Sequence, residues 1–114
     1  VAGVDHEEYV ERVLAVVEQI PPGRVMSYGA IAEAVGVGGP RQVGRVMSLD
    51  AGGMPWWRVV RADGGLPDCH GGEALSHHRA EGTPLRASGR VDMVVAAWWP
   101  EEEPMTGSGS VGPL

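Results

Sequence analysis

The stretch from Ser27 to Leu49 constrains this chain most. Ser27 is a capping residue type, and Ile31, Ala32 and Val35 follow it at helical spacing, so a short helix is expected over 28–35. Gly36 ends it as a C′ glycine would. The turn Gly36-Val37-Gly38-Gly39 leads to Pro40, a favoured first helical residue. Val43, Val46, Met47 and Leu49 then supply the apolar set of a second helix over 40–49. Two short helices joined by a Gly-containing turn form a helix-turn-helix.

The flanks supply what packs on that unit. Asp5 with Glu8 makes a D-x-x-E capping pattern, and Tyr9, Val10, Val13, Leu14, Val16, Val17 and Ile20 repeat at helical spacing, predicting a helix over 6–20. Pro21-Pro22-Gly23 stops it. Val59-Val60 followed by Asp63-Gly64-Gly65 reads as a strand entering a turn. A helix is expected over 71–81, ended by Gly82, and a small hairpin around Ser88-Gly89. From Pro100 the chain is Glu, Pro, Gly and Ser, so residues 100–114 are expected to be a disordered acidic tail behind a single domain at 1–99. The fold class is α/β (α+β), a mainly helical winged helix-turn-helix with a small β-hairpin wing.

Charge narrows the partners. The net charge of −6 argues against coating nucleic acid. Its distribution is uneven, however: residues 1–21 and 91–114 each carry −4, whereas 22–61 carry +3. All the basic residues are Arg. Such a chain can touch phosphates in one small region. No apolar run approaches the roughly 20 residues of a membrane span, and no signal peptide is visible at the N-terminus. Cys69 is the only cysteine, so no intrachain disulfide can form. These points favour a reducing, cytoplasmic setting and no membrane partner. A bacterial protein of this kind would be nucleoid-associated.

Three motifs in order carry a family resemblance. They are Ile20-Pro21-Pro22-Gly23-Arg24-Val25-Met26-Ser27-Tyr28-Gly29-Ala30-Ile31-Ala32, then Arg41-Gln42-Val43-Gly44-Arg45-Val46-Met47, then Pro55-Trp56-Trp57-Arg58-Val59. Together they resemble the DNA-binding domain of the O6-alkylguanine-DNA alkyltransferases (methylated-DNA-protein-cysteine methyltransferases) over roughly residues 6–95. In the reactive enzymes the third motif reads Pro-Cys-His-Arg-Val. Trp56 stands at the position of the nucleophilic cysteine, a mark of the alkyltransferase-like proteins, which bind alkylated DNA without repairing it. Trp57 stands at the position of the histidine, which many alkyltransferase-like proteins keep.

The residues agree with a loss of chemistry. Alkyl transfer needs a thiolate whose pKa is lowered by a base or a positive neighbour. An indole offers an N–H donor and no nucleophilic lone pair. The resemblance makes Glu81 the carboxylate that would orient the histidine, and here leaves it at most a structural role. No residue is expected to be catalytic. What the resemblance implies instead is recognition: a nucleotide is flipped from the duplex into a pocket. It assigns Tyr28 to crowding the backbone phosphate and Arg41 to filling the vacated stack. Gly44 permits close approach to a minor groove. Ser27, Gln42 and Arg45 complete the expected DNA contacts. The expected alkylguanine pocket is Tyr28, Met47, Trp56, Val59, Cys69 and His70. The implied partner is double-stranded DNA containing O6-alkylguanine, bound in the minor groove by a monomer and flagged for nucleotide excision repair proteins. No cofactor is implied.

Plainer readings stand beside these. Trp56 and Trp57 could both be packing residues at a junction. Strand alternation favours Trp56 as pocket floor and Trp57 as core. Trp98-Trp99 read as edge packing or a lid over the first helix. Arg58 reads as a brace rather than a DNA contact. Asp68-Cys69-His70 with His77-His78 could suggest zinc, but the spacing matches no common finger and helix neighbours diverge by about 100°, so no metal is expected. Two other functions remain open from sequence: a winged-helix transcription regulator, and residual alkyl transfer to Cys69.

Overall fold

A computed structural model describes residues 5–66 and 72–100. Helix α1 (His6–Gln19) begins where its cap predicts: the Asp5 carboxylate accepts the Glu8 backbone N–H at 2.8 Å. The Glu8 carboxylate pairs with Arg12 one turn on, at 2.9 Å. Val13 and Val17 bury the inner stripe. The helix stops one residue earlier than expected because Ile20 precedes Pro21, and a residue before proline is pushed out of the α region; Ile20 is extended, at φ −66° and ψ 121°.

Strand β1 (Met26–Ser27) runs into α2 (Tyr28–Val35), and α3 (Pro40–Asp50) follows after the glycine turn. Gly36 closes α2 in the left-handed region at φ 94°. Gly38 is held by two constraints: its φ is +79°, and a Cβ there would come within 2.5 Å of the Tyr9 hydroxyl. Any other residue would be strained there and would have to push the end of the Tyr9 ring aside, so glycine suits this turn where it packs on α1. α3 starts at Pro40, with the Gln42 side-chain oxygen accepting the Gly39 N–H at 2.9 Å.

A short 3-10 turn (Trp56–Arg58) leads to β2 (Val59–Val60), then α4 (Glu73–Glu81) and the four-residue α5 (Met93–Ala96). The sheet is one parallel pair, with Met26 opposite Val59 and Ser27 opposite Val60. The hairpin expected around Ser88-Gly89 is a turn closed by a single antiparallel bridge, Leu85 to Val91. Its turn packs on the one after β2, where the Val91 N–H donates to the Gly64 carbonyl at 2.9 Å. Residues 93–96 form a helical turn capped by Asp92 rather than extending that hairpin. The expected tail falls on residues that, from 101 onward, lie outside the described ones.

The main core joins Val13 and Val17 of α1 to Ile20, Met26 and Ile31 of the first motif, Val43 and Val46 of α3, and Val59 of β2. Trp98 belongs to it as well, only 7% exposed, which corrects its reading as edge packing. Its backbone explains why: the Trp98 N–H donates to the Val25 carbonyl at 2.8 Å, beside a parallel bridge from Val25 to Ala97. Leu49 corrects the other way. It was expected inward, yet it is 69% exposed on the last turn of α3. No helix among the described residues is long and apolar enough to cross a membrane.

Candidate nucleic-acid interface and the adjoining cleft

Helix α3 buries Val43 and Val46 and turns Arg41, Gly44 and Arg45 outward, as spacings of three and four dictate. The side chains of Arg41 and Arg45 are exposed, and neither guanidinium has a hydrogen-bond or ion-pair partner among the described residues. A Cβ added at Gly44 would meet nothing within 4 Å, so the helix surface between the two arginines is open. The expected contacts Ser27 and Gln42 are first of all caps. Ser27 Oγ accepts the Ala30 N–H at 3.0 Å, and Gln42 Oε1 accepts the Gly39 N–H. What each can still offer outward is a hydroxyl proton or an amide N–H. Tyr28 begins α2, half-buried against the main core.

Beyond the C-terminal end of α3 lies a cleft of about 310 Å³, bordered by Met47, Ser48, Leu49, Ala51, Gly52, Gly53 and Trp56. That volume is at the small end of ligand pockets, about 300–1,000 Å³. Two of the expected pocket residues, Met47 and Trp56, border it. Val59 does not: it is wholly buried in the main core on β2. Tyr28 also stands outside its lining. Cys69 and His70 lie outside the described residues. Sequence reasoning missed Leu49 and the Gly52-Gly53 rim, which follow from α3 continuing to Asp50 and then turning.

Trp56 and Trp57 do not alternate as strand neighbours. They sit on the 3-10 turn, where successive side chains are about 120° apart. Neither is buried, so Trp57 is not a core residue. Its ring stacks on His77 at 3.7 Å between centroids and 7° between planes. Trp56 meets both rings edge-on, at 5.6 Å from Trp57 and 5.8 Å from His77. His77 was overlooked as a site residue, although it lies four residues before Glu81 and therefore on the same face of α4.

Behind the tryptophans is a bonded hub. Glu81 accepts the Trp57 Nε1–H at 2.8 Å, the Gly23 N–H at 3.0 Å, and two Arg58 donors, the closer at 2.6 Å. Arg58 Nη1 also donates to the Ile20 carbonyl at 2.8 Å. Both side chains of the Arg58–Glu81 pair are only 13% exposed. Arg58 is thus a brace, as expected. Burial alone would raise the Glu81 pKa, but the hydrogen bonds from Arg58, Gly23 and Trp57 outweigh it and hold the carboxyl below its ordinary value. The indole N–H therefore occupies the carboxylate that the resemblance assigns to an imidazole.

His78 faces the other way and is fully buried. Its Nε2 lies 2.6 Å from the Trp57 carbonyl and its Nδ1 2.9 Å from Thr83 Oγ1. A carbonyl can only accept, so Nε2 carries the proton and Nδ1 accepts from the threonine hydroxyl. Burial pushes its pKa down, against the opposing pull of the Trp57 carbonyl and Glu81. With both nitrogens engaged, His78 has no lone pair for a metal. His77 and His78 diverge as helix neighbours should.

Comparison with known proteins fits this geometry. The family described as "6-O-methylguanine DNA methyltransferase, DNA binding domain" matches residues 8–82. A "DNA base-flipping protein" of Vibrio parahaemolyticus is 31% identical over 101 residues, spanning 82% of this chain and 99% of that one. A protein of the same name from Escherichia coli is 32% identical over 99 residues, covering 81% and 75%. Among solved structures, S. pombe Atl1 in complex with damaged DNA containing O6-carboxymethylguanine is similar, with a TM-score of 0.74 and 28% identity over 85% of this chain and 100% of that one.

Proposed function

The chain belongs to the family of the 6-O-methylguanine DNA methyltransferase DNA-binding domain, and from that premise we propose that it recognises O6-alkylguanine in duplex DNA without repairing it. The observation that carries this reading is the adjacency of two features: an open arginine face on α3, and the Met47–Trp56 cleft at the end of the same helix. In this reading α3 lies in the minor groove, with Gly44 allowing close approach. Arg41 enters the stack that the flipped nucleotide leaves, a task suited to a planar, always charged donor fork. Tyr28 crowds the flanking phosphate, while Ser27, Gln42 and Arg45 hold the backbone. The turned-out base enters the cleft against Trp56 and Met47, where stacking and apolar contact suit a base whose polar edge carries an alkyl group.

The same reading makes the protein a sensor rather than an enzyme. Trp56 takes the place of the nucleophile, and Trp57 takes the place of its base. The bond from the Trp57 indole to Glu81 supports this, because the carboxylate that would orient a histidine is already committed. The protein acts in the cytoplasm as a monomer and passes the marked site to nucleotide excision repair. A gel shift with matched duplexes containing guanine or O6-methylguanine tests the core of the proposal. Tighter binding to the alkylated duplex is expected, regardless of flanking sequence. Equal affinity for both duplexes, or dependence on flanking sequence, rejects it. Label carried from an alkyl-labelled duplex to the protein would reject the non-enzymatic part.

A further inference from the structure

The rings behind the cleft form a unit that lesion contact alone does not explain. Trp57 and His77 are stacked face to face, and Trp56 stands nearly perpendicular to both, at 87° and 85°. The slab that Trp56 leans on is fixed from two directions. Trp57 is tied through its indole N–H to Glu81, which Gly23 and Arg58 hold in turn. His77 rides on α4, whose next residue, His78, is bonded to the Trp57 carbonyl and to Thr83. Edge-to-face geometry at these centroid distances is the favoured arrangement for aromatic neighbours.

We infer that Trp57 and His77 are positioning residues that hold the Trp56 ring rigid as the wall of the cleft, and that this rigidity sets which O6-alkyl sizes are accepted. This rests on the function proposed above. A wall ring locked by its neighbours keeps one cleft shape, so a larger alkyl group must fit that shape or be refused. Without the His77 ring, Trp57 loses its stacking partner and Trp56 loses an edge contact. The wall can then retreat, and the cleft stops ranking groups by size. His77 is therefore a specificity residue that need not touch the lesion.

The experiment titrates duplexes carrying O6-methylguanine or O6-benzylguanine with the wild-type protein, His77→Ala and His77→Phe, and reads the ratio of the two Kd values. In His77→Ala that ratio should move toward one by about two- to tenfold, the scale of one aromatic pair. His77→Phe, which restores a ring face without the nitrogens, should recover the wild-type ratio. An unchanged ratio in His77→Ala overturns the inference, as does a failure of Phe to rescue it. Should the alanine variant not fold, His77→Leu against His77→Phe makes the same comparison at similar volume. A second arm needs no DNA. With 5-fluorotryptophan incorporated and the Trp56 line identified through Trp56→Phe, that fluorine resonance should shift and broaden in His77→Ala. An unmoved, equally sharp line overturns the clamp. If the wild-type protein prefers neither lesion over guanine, the functional reading falls while the fluorine arm still decides the clamp.

Discussion

Two arginine-bearing regions of this molecule behave oppositely. On α3, the guanidinium groups of Arg41 and Arg45 stand exposed with no partner among the described residues. Behind the tryptophans, Arg58 spends donors on Glu81 and on the Ile20 carbonyl, and its side chain is 13% exposed. Residue type is the same; context decides the work. A guanidinium with Nε, Nη1 and Nη2 each bonded inside the fold contributes stability and has little left for a ligand. One held out on a helix beside an open glycine has all its donors left for a partner.

The sharpest way to break this contrast is to remove the hub's carboxylate. Glu81→Ala strands a largely buried guanidinium, the Trp57 indole N–H and the Gly23 N–H together, and should destabilise the protein by about 3 kcal/mol, measured by urea unfolding. A change under about 0.5 kcal/mol, the size of an ordinary surface substitution, would place the hub in the same class as the α3 face. Arg41→Ala is the mirror experiment. It should leave urea unfolding within about 0.5 kcal/mol of wild type and weaken binding to an O6-methylguanine duplex by about 2 kcal/mol. Wild-type affinity in that variant would remove Arg41 from the stack-filling role.

Acid should separate the regions too. His78 has its pKa lowered by burial, so its contribution to stability is complete above its ordinary value of 6.5 and is lost as pH falls below that toward its folded value. Glu81 is also lowered, so its contribution is complete above 4.5 and is lost as pH falls below that. Unfolding measured across pH 7 to 3 should therefore weaken in two successive windows. The effect should be smaller than that of Glu81→Ala, and the second window should vanish in that variant. A smaller effect still is expected from Arg45→Ala. If Arg45 meets a phosphate, damaged and undamaged duplexes should weaken alike, and the slope of log K against log salt should shrink by about one.

The helix-turn-helix was legible because its signals are local: a capping serine, glycines that the turn needs, and a proline at the start of α3. That Arg41 and Arg45 share one face of α3 followed from their spacing of four, whereas their tie to DNA came from the resemblance. The hub was half legible. Arg58 and Glu81 were recognised, but Trp57 was assigned to the core by strand alternation, and the chain there is a 3-10 turn that only afterwards becomes β2. Trp98 was missed for a different reason. Its burial depends on a pairing between Val25 and Ala97, more than seventy residues apart, which leaves no periodic trace. His77 carried a signal, its spacing from Glu81, that gains meaning only once Trp57 is known to face α4.

The smallest expected effect is also the most informative about chemistry. Trp56→Cys places a thiol on the wall of the cleft, yet transfer of an alkyl group needs the thiolate, and a free cysteine is mostly protonated at neutral pH. Lowering its pKa requires a base, and the neighbour in sequence is an indole whose only polar group already donates to Glu81. The guanidinium of Arg58, 5.4 Å from the Trp57 ring, is bound to that same carboxylate, so its field is largely neutralised. No alkyl-labelled protein should therefore accumulate with an O6-methylguanine duplex, as with wild type. Adding Trp57→His would present an imidazole to Glu81 in place of the indole, and transfer appearing only in that double variant would locate the defect in the missing base. Transfer by Trp56→Cys alone would show that the Trp57 indole, and the base it displaces, does not limit the chemistry.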